Sequence, residues 1–222
     1  VLHLLIRFVL APLARLVYRP VVHGAERVPA HGPVIFAANH QAALDSAVIP
    51  IVTPRPVKFL GKAEYFTGKG VKGRLMASFL TALGYVPVER GNAMAGLAAL
   101  EAARKVLEAG GAFAIYPEGT RSLDGRLHRG HTGVGSLALA TGARVVPVAL
   151  AGTENLQPGG RRIPRLARIT VRFGEPLEFS RYDGMGSPAI RRAVTDEIMY
   201  AILELSEQEY VDRYHKRPGE AA

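Results

Sequence analysis

Short apolar runs that stop at polar clusters set the rhythm of this chain. Residues 34–37, Val-Ile-Phe-Ala, read as a buried strand, and Asn39, His40 and Asp45 follow it. A second such run, 112–115, gives way to Tyr116, Pro117, Glu118, Gly119, Thr120, Arg121 and Ser122. Further strands are expected at 57–60, at 84–88 with Pro87 inside it, and at 145–150. Between them the period lengthens to that of helices. Residues 43–52 close at Pro54, and 73–83 show an apolar face of Leu75, Met76, Phe79, Leu80 and Leu83. Residues 94–109 are rich in good helix formers and stop at Gly110-Gly111, and 132–140 close at Gly142. Strand and helix alternate, so the pattern predicts an α/β single domain with a mostly parallel central sheet flanked by helices.

Beyond residue 151 the pattern loosens. Residues 152–168 are rich in Gly and Pro and carry Arg161, Arg162, Arg165 and Arg168, which suits a solvated loop or a second basic contact with anionic lipid. Residues 169–173 alternate like a late strand at the edge of the sheet. Ser187-Pro188 opens a last helix with Ile190, Val194, Ile198, Ile202 and Leu205 as its stripe. Three segments are expected: 1–22 as an amphiphilic, membrane-associating helical segment, 23–206 as a catalytic domain, and 207–222 as a polar tail that frays.

The first segment has no acid and spreads Arg7, Arg15 and Arg19 among apolar residues. No uncharged apolar run there reaches the ~18 residues of a spanning helix, and a signal peptide would place its charges first. His3 and the three arginines share one half of a helical wheel, though Leu4 and Phe8 lie among them, and Pro12 interrupts the helix. A helix lying in a membrane interface is expected, with an ordinary helix packed on the core as the alternative. The chain opens on Val, which points to residues upstream.

Composition narrows the chemistry. With 222 residues, 48% of them hydrophobic, the chain has enough apolar side chains to bury a core, which excludes a disordered chain. No cysteine is present, so a disulfide framework and a thiolate metal site are both excluded. The formal charge of +9 suits an anionic partner. Nucleic acid would rest on charge alone, since no base-reading helix or stacking platform is evident. The histidines show no compact ligand spacing, so no metal is expected, and His23, His31, His128, His131 and His215 read as loop or surface residues. There is no P-loop and no GxSxG elbow, and the GxGxxG at 68–73 does not directly follow a strand.

What remains are the two clusters, each at the carboxyl end of an expected parallel strand, where open α/β sheets place their sites. Asp45 in the first turn of a helix can fold back onto one ring nitrogen of His40 and leave the other free to take a proton. A capping Asp beside a loop His is the plain alternative. Glu118, Gly119, Thr120 and Arg121 supply an acid, a pliant backbone, a hydroxyl and a guanidinium. N–H groups there suit an oxyanion, and Arg121 with Arg90 suits a phosphate, surface ion pairs being the alternative.

These residues, taken in order, resemble the 1-acylglycerol-3-phosphate acyltransferases of the wider glycerolipid acyltransferase superfamily. His40 through Asp45 is similar to the family's His-x4-Asp block, and residues 84–91, ending Glu89-Arg90-Gly91, to its second block. Residues 116–122 resemble Phe-Pro-Glu-Gly-Thr-Arg-Ser with Tyr116 in place of Phe, and 145–149 the block centred on Pro147. The resemblance covers roughly residues 20–180. It implies a glycerol-3-phosphate acyltransferase-like fold and transfer of a fatty acyl group from acyl-CoA or acyl-carrier protein to 1-acylglycerol-3-phosphate. The acyl thioester is a co-substrate, and no cofactor is implied. His40 would be the general base and Asp45 its orienting partner. Glu118, Gly119, Thr120, Arg121, Arg90 and Lys62 would bind substrate, and no acyl-enzyme would form. The enzyme would sit peripherally or monotopically on the cytoplasmic face of an anionic membrane. His128-Arg129 departs from the aromatic-Lys pair common in the family and leaves the acceptor contacts open. Glycerol-3-phosphate, other lysophospholipids or glycolipids are alternative acceptors. An acyl-thioester hydrolase and a non-catalytic lipid-binding protein are alternative classes.

Overall fold

Every residue of Val34–Ala38 is buried, as expected of a strand covered on both faces. The structure, a computed structural model, describes residues 5–88, 93–157 and 164–215, without the side chains of Arg7, Ala93 and Met94. Arg90, Arg161 and Arg162 lie outside the described residues. In chain order the elements are α1 (Ala11–Tyr18), β1 (Val21–His23), β2 (Val34–Ala38), α2 (Asp45–Val52) and β3 (Phe59–Lys62). Then come α3 (Gly70–Ala82), β4 (Tyr85–Val88), α4 (Ala93–Glu108), β5 (Ala112–Ile115) and β6 (Leu127–His128). The last are α5 (Gly133–Thr141), β7 (Arg144–Ala151), β8 (Thr170–Phe173), α6 (Pro188–Ser206) and β9 (Tyr210–Val211).

The central sheet runs β1-β8-β7-β2-β5. Lys58 donates to Ala112 O at 2.9 Å and accepts from Ala114 N–H at 2.8 Å, which joins the parallel pair β3-β4 to β5. The sheet is parallel except where β8 runs antiparallel to β7. Pro87 lacks a ladder N–H and is tolerated because, among the described residues, β4 pairs with β3 alone. Alternation along the strands sorts the core into two layers. Val34, Phe36, Val146, Val148 and Leu150 face α2, while Ile35, Phe113 and Val145 face α4, α5 and α6. Gly135 lets α5 approach α6 closely, since a Cβ there would meet Arg191 O and Thr195 Oγ1 at 2.6 Å. Ser187 caps α6, its Oγ accepting from Ile190 N–H at 3.3 Å.

Three expectations change. Val21 and Val22, grouped with the helical segment, are strand: α1 ends at Tyr18, Arg19 turns left-handed, and the chain joins the sheet as β1. The tail does not fray over its first residues. β9 pairs in parallel with β6, and Tyr214 stacks on His131 at 4.6 Å. The third concerns α3, which forms as the periodicity requires but buries none of its residues.

Candidate active site

β2 lies between β5 and β7, so its carboxyl end opens at the middle of the sheet. Asn39 holds that end in place. Its amide brackets the backbone of β7, donating to Leu150 O at 3.0 Å and accepting Leu150 N–H at 2.8 Å, and it also donates to Gln208 Oε1 at 2.8 Å. The buried side chain thus prolongs the ladder while the main chain of His40 turns away.

His40 Nδ1 lies 2.8 Å from Asp45 Oδ2. The same oxygen accepts the N–H groups of Gln41 at 2.7 Å and Ala42 at 2.9 Å. Asp45 is fully buried at the first residue of α2, where the helix dipole favours a carboxylate. With Nδ1–H donated to Asp45, the lone pair lies on Nε2. The other face of the ring is braced. Tyr116 stacks on it with centroids 3.8 Å apart and planes 9° from parallel, and the phenol exchanges a hydrogen bond with Ser46 Oγ at 2.9 Å. Desolvation, then the charge of Asp45, raise the Tyr116 phenol well above its ordinary range, so it stays neutral.

The second cluster is stitched to the first by backbone. Ser122 N–H donates to His40 O at 2.7 Å, and His40 N–H donates to Glu118 Oε1 at 3.3 Å. Glu118 Oε2 accepts His128 N–H at 2.9 Å. Burial pushes the Glu118 carboxyl up from 4.5 to about 7, against the pull of those two N–H donors. Glu118, expected to touch substrate, is 1% exposed and both its oxygens accept backbone N–H groups, so it ties loops together. Gly119 has φ +72°, and a Cβ there would stand 3.1 Å from His131 Cδ2. Its N–H closes a turn onto Tyr116 O at 3.0 Å, so it is not offered to an oxyanion. Thr120 is half-buried and Arg121 is exposed beyond it. Lys62 ends β3 on the same edge of the sheet, and its Nζ pairs with Glu64 at 2.7 Å.

His128 and Arg129, the departure noted in the sequence, serve the loop and tail. His128 Nε2 lies 3.0 Å from Asp124, and Arg129 pairs with Asp212 at 3.5 Å and covers the Tyr214 ring. Asp124, His128 and His215 bring potential ligand atoms within 4.8 Å of one another. Arg126 is bonded to the same Asp124 carboxylate, which opposes a cation there. Asn39, given no role by the sequence, and Ser46 and Gln208 complete the corner. Asn39 had the local signal of its place beside His40, whereas Gln208 arrives from the tail with none.

A family model described as Acyltransferase matches residues 19–151, which include His40, Asp45, Lys62, Arg90 and residues 118–121. A 1-acyl-sn-glycerol-3-phosphate acyltransferase of Chlamydomonas reinhardtii is 31% identical over 183 residues, 82% of this chain and 53% of that protein. The chloroplastic LPAT1 of Arabidopsis thaliana, of the same description, is 29% identical over 168 residues, 75% of this chain and 46% of its own. The chain thus spans about half the length of these curated relatives. The crystal structure of the 1-acyl-sn-glycerophosphate (LPA) acyltransferase PlsC from Thermotoga maritima superposes with a TM-score of 0.66 at 26% identity, covering 90% of this chain and 80% of that one. With the model spanning more than half its length, the chain belongs to the acyltransferase family.

Proposed function

We propose that the protein transfers a fatty acyl group from an acyl thioester, acyl-CoA or acyl-carrier protein, to the free hydroxyl of 1-acylglycerol-3-phosphate, giving phosphatidic acid. One observation carries the chemistry. The His40 ring is clamped between Asp45 and Tyr116, with Nε2 left as a proton acceptor at the carboxyl edge of the sheet. Nε2 takes the hydroxyl proton as the oxygen attacks the thioester carbon. The C–O bond forms, the C–S bond breaks with its electron pair on sulfur, and the imidazolium returns the proton to the thiolate. Asp45 stabilises the imidazolium in between. No acyl-enzyme is needed: the chain has no cysteine, and Ser46 and Ser122 are engaged by Tyr116 and Asp124. Exposed Arg121, with Lys62 and Arg90, attracts the acceptor's phosphate, and Thr120 beside Arg121 binds the same substrate. Glu118 and Gly119 shape the loop that presents them.

The reading extends to the membrane. No described helix is long and apolar enough to cross one. Residues 5–18 instead expose Phe8, Leu13 and Leu16 and hold to α2 through Arg15, whose Nε donates to Ile51 O at 2.6 Å. This suits a segment lying in the interface at the cytoplasmic face.

Thiol release from palmitoyl-CoA by purified protein in detergent, with each acceptor in turn, tests the assignment. Release that requires 1-acylglycerol-3-phosphate is expected. Release only with glycerol-3-phosphate or a phosphate-free lysolipid would move the acceptor, and full-rate release without any acceptor would make the protein a hydrolase.

A further inference from the structure

Helix α3 has no buried residue, yet it is not polar. Val71 is 74% exposed and Leu75 66%, and Met76 and Phe79 are exposed beside them. At about 100° per residue, positions 71, 75 and 79 form one stripe with 76 on its flank. Scattered apolar residues are normal on a protein surface, whereas a continuous row of bulky ones marks a contact. The helix contains no acid, carries Lys72 and Arg74, and is preceded by Lys69 at its N-cap. The N-terminal segment has the same character: Phe8 is 67% and Leu16 65% exposed, and α1 buries nothing. The two are neighbours. Ile6, Phe8 and Ala11 from one, and Ala82, Leu83 and Gly84 at the end of the other, line a single cleft of about 250 Å³. Arg15, Arg55 and Lys58 line it as well.

We propose that α3 is a second membrane-contacting element, seated beside α1 in the interface of a bilayer that contains anionic lipid. This rests on the reading of the N-terminal segment as membrane-associating and adds an element to it. The occupant follows from charge and shape. An apolar stripe with cations and no acid matches acyl chains beneath phosphate headgroups, and Lys72 reaches its ammonium up to them. A second copy of the chain would instead bring the same cations face to face with no acid on α3 to answer them.

The absence of cysteine allows a single environment-sensitive fluorophore to be placed at will. Three full-length labelled variants are compared: Leu75→Cys on α3, Leu16→Cys on α1, and Asp183→Cys in the exposed turn before α6. Each meets phosphatidylcholine vesicles containing a minority of phosphatidylglycerol. At Leu75 and Leu16 the emission is expected to shift blue and to be quenched by doxyl-labelled lipid, with neither change at Asp183. A response at Leu16 without one at Leu75 would overturn the inference and leave the N-terminal reading standing. Silence at both would overturn both. A blue shift at Leu75 that grows with protein concentration and ignores doxyl lipid would assign the face to a second copy. In unlabelled protein, Leu75→Asp combined with Phe79→Asp should weaken vesicle binding by at least about tenfold, since two exposed apolar anchors are lost. The melting temperature should hold, because neither side chain is buried. Unchanged binding by that folded variant would overturn the inference as well.

Discussion

Two carboxylates lie buried in the same corner, and their surroundings give them different work. Asp45 gathers three donors on one oxygen, two from backbone and one from the His40 ring. Glu118 spreads two backbone donors over two oxygens, one from the His40 loop and one from His128. In the proposed mechanism the first therefore acts on the reacting group, and the second on the distance between two strand ends. An acid in a site is thus classed by what its oxygens touch and not by its presence in a motif. Arg121, exposed and three residues after Glu118 in the same motif, is free to meet a ligand where Glu118 is not.

The sharpest way to break the comparison is to neutralise each acid without changing its size. Asp45→Asn leaves the shape but offers no charge to the imidazolium, and its amide cannot accept all three donors. A loss of about 10³–10⁴ in kcat is expected, with the thioester KM nearly unchanged, read from steady-state kinetics. Glu118→Gln acts first on stability. The folded carboxyl titrates near 7 and the unfolded one near 4.5, so protonation favours the folded state between those values. Relative to the Gln variant, wild-type stability should be full below pH 4.5 and fall by about 3 kcal/mol as the pH rises through 7, measured by urea unfolding across that range. Parallel curves for the two proteins would show that Glu118 is not held away from its ordinary titration.

A smaller effect separates stacking from hydrogen bonding at Tyr116. Tyr116→Phe keeps the ring on His40 and loses only the Ser46 bond, so about 1 kcal/mol of stability should go while kcat stays within about threefold. A large drop in kcat for this variant would give the phenol a part in the chemistry.

Much of this corner was legible because its parts are local. His40 and Asp45 are close in sequence, and a strand followed by a first-turn acid places both. The meeting of the two clusters was legible from strand ends alone, since βαβ order brings parallel strand ends to one edge. The side-chain contacts between clusters were not. Nothing local aims Tyr116 at His40, or turns Glu118 inward onto two amides. Long-range pieces were also silent: Gln208 reaches Asn39 from the tail, and the two-residue strands β6 and β9 are too short to carry a pattern. For α3, periodicity identifies an apolar face but says nothing of what covers it.

The most direct measurement is acyl transfer by His40→Ala, with its fold checked by circular dichroism and thermal melting. His40 is partly exposed and its loop is held by backbone bonds through Ser122 and Asp45, so the variant should fold. We expect acceptor-dependent thiol release to fall by about 10²–10⁴ while acceptor binding persists. Wild-type rates from the folded variant would contradict His40 as the base and leave the buried Asp45 a structural residue.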